Sequence, residues 1–132
     1  MTTLGGTTYA KARNLVPAAR AAYDAALDRY DVLVMPTLPY VANELPEPGI
    51  DRATYLTKAL GMVVNAAPLD VTGHPALSVP AGLVDGLPVG MMIIGKRFDD
   101  ATVLRAGHAF EKIQGGFPTP PTASDRAELA PL

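Results

Sequence analysis

Two serines, Ser78 and Ser124, and two histidines, His74 and His108, stand in a chain without cysteine. Neither serine lies in a Gly-x-Ser-x-Gly elbow, so a hydrolase triad of that design has no nucleophile position. Ser78 falls inside the apolar run Ala76 to Pro80 and reads as a small hydroxyl bonded to backbone within a buried strand. His74, in a Thr-Gly-His-Pro turn, reads as a residue that bonds loop backbone rather than one that shuttles protons. His108 reads as a surface or interface residue of the last helix. No second histidine or acid pair gives metal-ligand spacing, so neither a metal nor a cofactor is expected. Asp99 and Asp100 are adjacent carboxylates, but a helix N-terminus explains them more cheaply than acid–base chemistry. Gly5-Gly6 and Gly115-Gly116 do not follow a strand and open a helix, which a phosphate cradle requires. Met91-Met92 reads as core packing or a pocket wall.

The frame around these residues is ordinary globular material of 132 residues, 48% hydrophobic and 18% charged. A net charge of -2 gives no attraction to nucleic acid or an anionic membrane, and neither partner is expected. The longest apolar runs, Val32 to Met35 and Val89 to Ile94, are too short to cross a bilayer. Met1 to Thr8 has no signal-peptide pattern, and the lack of cysteine removes any disulfide framework; a cytoplasmic chain is expected.

Apolar residues at steps of three and four between Tyr9 and Tyr30 predict an amphipathic helix, kinked at Pro17 or starting nearer Ala18. Val32 to Met35, closed by Pro36, predicts a strand buried on both faces. The prolines from Pro36 to Pro48 predict an extended loop. Asp51 caps a second helix whose apolar side carries Tyr55, Leu56, Ala59 and Met62 or Val63. Pro68 and Gly73 are expected to end anything helical. A strand over His74 to Pro80 and another over Leu87 to Gly95, joined through Asp85-Gly86, predict an antiparallel hairpin with a loose loop. Asp99 or Asp100 then caps a last helix, stopped by Gly115-Gly116. The class is α/β, a mixed sheet flanked by helices. Three strands so apolar demand cover on two faces and further neighbours. The chain is therefore either a sparse small domain or one piece of a larger sheet, with self-association through exposed sheet edges expected.

Four segments, in order, resemble the amidase-signature family. Asn65 to Gly82, with its Thr-Gly-His-Pro-Ala-Leu-Ser-Val-Pro run, is similar to a late segment of that family, and Gly86 to Gly95 to its final strand. Phe98 to Glu111 is similar to its last helix, and Tyr30 to Thr37 to its strand ending in Pro-Thr. The resemblance implies the C-terminal portion of an amidase-signature fold, incomplete on its own, in residues 9–117. Residues 1–8 would be an N-terminal extension and 118–132 a Pro-rich, polar tail. It also implies hydrolysis of carboxylic amides through a Ser–cis-Ser–Lys acyl-enzyme route. The Gly- and Ser-rich loop of that machinery is missing, and Lys11, Lys58, Lys96 and Lys112 match no catalytic context, so no catalytic residue is assigned. Asp70 stands where many members have Asn. The wording Leu-Asp-Val-Thr-Gly-His-Pro resembles members that act on simple aliphatic and aromatic amides. Met62, Val63, Asn65, Pro68 and Asp70 are candidates for lining or supporting the acyl pocket; core or loop-fixing roles are the alternative for each. A small-molecule amide is the expected partner only if the missing region completes the site. The alternatives are an inactive stand-alone remnant or interaction module, and a segment of an amidotransferase-type subunit.

Overall fold

The computed structural model describes residues 6–117; the expected tail over 118–132 and the first five residues lie outside the described residues. The elements run α1 (Gly6–Leu27), β1 (Leu33–Pro36), α2 (Arg52–Gly61), α3 (Ala67–Thr72), β2 (Ala76–Val84), β3 (Leu87–Ile94) and α4 (Asp100–Gln114). The strands form one sheet in the order β1-β3-β2, with both pairings antiparallel.

Proline chemistry explains where local expectation and structure part. Helix α1 passes through Pro17 as one element instead of starting nearer Ala18. The carbonyl of Arg13 loses its helical partner there, but both residues are exposed and water can take that bond. Pro68 opens a helix rather than closing one. It sits in the first turn of α3, where a missing N–H costs nothing, and Gly73 at φ 76° ends that helix. Strand β2 continues past Pro80 to Val84, with a register shift between Pro80 and Gly82. As an edge strand it tolerates a residue without a donor. Asp85 (φ 51°) and Gly86 (φ 78°) close the hairpin as a tight two-residue turn instead of a loose loop. Two successive positive φ values match the right-handed twist of the strands they join.

Alternation along β3 divides the core in two. Met92 and Ile94 face α1 and α3, packing with Leu69 and, less buried, Tyr23, Leu33 and Met35. Ile93 faces α4 with Val79 and Val103, flanked by Leu77, Met91, Phe110 and Phe117. Helix α4 lies so close to β2 that a Cβ on Gly107 would collide with the tip of Leu77. The cover stops short of the hairpin tip. Leu83 near the tip is 69% exposed, and Val34 of β1, opposite Ile93, is 57% exposed because α4 packs on β2 and β3, so the two-sided burial expected of the strands is met only in part.

Candidate functional site

The open end of the sheet carries its polar chemistry on the α1/α3 face. Thr37, one residue beyond β1, donates its backbone N–H to the Gly90 carbonyl (2.9 Å) and so extends the β1–β3 ladder. Its Oγ1 lies 2.6 Å from the Ser78 Oγ of β2. The two hydroxyls therefore meet across the central strand, above Gly90. A Cβ at Gly90 would stand 2.9 Å from each hydroxyl oxygen, so the pair needs a glycine beneath it. Next to this, the Asn65 side-chain amide donates to the Pro36 carbonyl at 2.9 Å. Since the Thr37 N–H points toward β3, the Pro36 carbonyl of the same peptide points to the free edge, and Asn65 caps it there.

Ser78 departs from its expected place: it is exposed, and its partner is a side chain rather than backbone. His74 is buried, but its partners too are side chains. Its Nδ1 lies 2.9 Å from Thr72 Oγ1 and its Nε2 3.2 Å from Asp24 Oδ1 on α1. A carboxylate only accepts, so Nε2 donates to Asp24, while Nδ1 pairs with the Thr72 hydroxyl. The order hydroxyl–imidazole–carboxylate is that of a nucleophile relay. Thr72, however, is 0% exposed and no substrate reaches its oxygen. The cluster instead fastens α1: Arg20 Nε donates to the Thr72 carbonyl (2.9 Å), Arg97 approaches Asp24 (3.5 Å), and the Tyr23 ring lies 5.3 Å from His74. His108 is exposed on α4 beside Glu111.

The five pocket candidates fall on the connection from α2 to α3. Met62 and Val63 occupy the turn after α2 and are 39% and 49% exposed. Pro68 and Asp70 lie on α3, and only Asn65 reaches the sheet, through Pro36. A separate groove of about 540 Å³ lies between the hairpin tip and the loop after β1, walled by Val34, Leu38, Tyr40, Val84, Val89 and Met91 among others. None of the five lines it. Its walls are apolar, and the Tyr40 hydroxyl is turned to the Lys58 carbonyl of α2 (3.2 Å). Thr37 and Asp24 escape a reading of the sequence, because their partners lie 41 and 50 residues away and no local period links them; Thr72 is local to His74, two residues away, but nothing in the turn motif singles out its hydroxyl. Among the described residues no group of three or more His, Asp or Glu could hold a metal ion, and no helix is long and apolar enough to cross a membrane.

Comparison with known proteins bears directly on this arrangement. The Amidase family model matches residues 2–104. An uncharacterised protein in the nthA 5' region of Rhodococcus erythropolis is 74% identical over 91% of this chain and 60% of its own length. An enantioselective amidase of Rhodococcus rhodochrous is 62% identical over 91% of this chain but only 23% of its own length. Among solved structures, a glutamyl-tRNA(Gln) amidotransferase subunit of Thermotoga maritima superposes with a TM-score of 0.69 at 33% identity, covering 85% of this chain and 25% of that one. The chain thus spans about a quarter of the full-length amidase and amidotransferase subunit it matches. Its antiparallel sheet and flanking helices superpose on about a quarter of such folds, and the chain belongs to the amidase-signature family.

Proposed function

We propose that this chain is the C-terminal, pocket-forming part of an amidase that hydrolyses small carboxylic amides to acid and ammonia. Catalysis would follow a Ser–cis-Ser–Lys acyl-enzyme route, with the serines and the lysine supplied by a segment outside this chain. The observation that carries the reading is the 62% identity, over 121 residues, to the enantioselective amidase. The turn of Met62, Val63 and Asn65 would form part of the acyl-pocket wall, with Pro68 and Asp70 supporting it from α3. Uncovered apolar surface on α2 and at the hairpin tip supports a fold completed by further chain, which would also bring the catalytic groups. Absence of cysteine suits a reducing, cytoplasmic setting.

Mixing this chain with the N-terminal three-quarters of the Rhodococcus rhodochrous amidase tests the proposal. Ammonia release from a simple amide should rise several-fold above that of either piece alone. No gain over the N-terminal piece would sink it and favour an inactive remnant, or one that associates with itself through its sheet edges. The likeness to the amidotransferase subunit supports a second reading, in which the completed site takes the side-chain amide of glutamine. Faster turnover of glutamine than of propionamide or benzamide would select that reading.

A further inference from the structure

We propose that the Thr37–Ser78 hydroxyl pair is a hydrogen-bonding site for the carboxamide group of a small amide, an inference that rests on the amide chemistry proposed above. The two oxygens are 2.6 Å apart, so one hydroxyl hydrogen lies between them. Two hydroxyls carry two hydrogens. The second one and the unused lone pairs face solvent, where a ligand group can replace water. A carboxamide matches that remainder: its carbonyl oxygen accepts the spare O–H, and its N–H donates to a hydroxyl lone pair. A carboxylate lacks the N–H and an alkane lacks both.

Three observations place the pair for such a ligand. Ser78 is exposed, so the pair is reachable. Gly90 supplies no side chain beneath the oxygens, which lets them lie low on the sheet. Met35, half-buried on the same face, offers an apolar neighbour for a short alkyl or aryl group, while Met92, paired with both Met35 and Ser78, is buried beneath in the core. Asn65, one peptide away from Thr37, fixes the strand end through the Pro36 carbonyl. The rival role, a tie between β1 and β2 across β3, predicts an effect on stability alone.

Titrating the 15N-labelled chain with propionamide, and separately with sodium propionate, separates the two roles. Propionamide should give saturable amide shifts centred on Thr37, Ser78 and Gly90, and propionate should give markedly smaller ones. Ser78→Ala and Thr37→Val should each weaken propionamide binding about threefold to tenfold, the worth of one hydrogen bond, while Thr37→Ser keeps it. If Ser78→Ala fails to fold, the Thr37→Val and Thr37→Ser pair reads the same point. Shifts centred elsewhere, equal response to propionate, or unchanged affinity in folded variants would each overturn the inference. The readout needs no catalysis. Restored amidase activity with unchanged binding in the variants would sink this site alone, and hydroxyl-dependent binding without restored activity would sink the proposed function alone.

Discussion

Helices α2 and α4 begin alike and end in different surroundings. Asp51 accepts from the Ala53 and Thr54 amides at the start of α2, and Asp99 accepts from the Thr102 amide at the start of α4. Both carry an apolar stripe. Helix α4 buries Val103 and Gly107 against β2 and β3, whereas α2 buries no residue and leaves Tyr55 and Leu60 more than half exposed. Capping is a contract between neighbours in sequence and is fulfilled wherever the chain lies. Burial requires a second surface, and what reaches α2 by hydrogen bond from the loop after β1 is the side chains of Tyr40 and Asn43, both at the Lys58 carbonyl.

Substitutions can break or sharpen this contrast. The largest effect is expected under α4, where Ile93 is 3% exposed. Ile93→Ala should lower stability to urea by about 2–5 kcal/mol, through lost burial and the cavity left behind. On α2, Leu56→Ala should change stability by less than about 0.5 kcal/mol in the chain alone. The same variant should weaken association with the complementing amidase segment, and a loss of urea stability in the isolated chain would mean that α2 already has its partner. The smallest effect concerns the caps. The Thr54 hydroxyl holds the Asp51 carboxyl below its ordinary range, and Thr102 does the same for Asp99. A carboxyl whose folded value is depressed stabilises above its unfolded value, and that contribution is lost as pH falls through the folded one. Helicity should therefore decline slightly below about pH 4. In the Asp51→Asn, Asp99→Asn double variant, circular dichroism should show a shallower decline.

What is legible in the sequence is local. Asp51, Asp99, Gly73 and the Asp85-Gly86 turn act on backbone groups a few residues away, and each sits where residue chemistry puts it. The apolar strands are legible for the same reason. Pro68 is ambiguous, because proline forbids a helix interior and favours a first turn, and the residues around it do not say which applies. Of the candidate site, Asn65 reaches the sheet through the Pro36 carbonyl, while Ser78 and His74 have surroundings other than those expected. The strand pattern around Ser78 predicts burial, but its face lacks cover at that end. The turn around His74 predicts partners within its own loop, but its carboxylate comes from α1, 50 residues earlier. Such partners are products of tertiary folding and leave no period to read.

The tight turn between β2 and β3 also sets an order of events. A hairpin closed by two residues can form within about 1–10 μs, because little chain entropy is lost before its first cross-strand bonds. β1 reaches the same sheet only by pairing with β3, from Leu33 opposite Ile94 to Pro36 opposite Met91, across nearly half of the chain. Loop closure over such a span is slower and rewards nothing until it is complete. During synthesis β1 emerges long before the strand it needs and must wait unpaired. The hairpin is thus the expected nucleus, and changes at Asp85-Gly86 should slow folding more than they speed unfolding, which stopped-flow refolding would check.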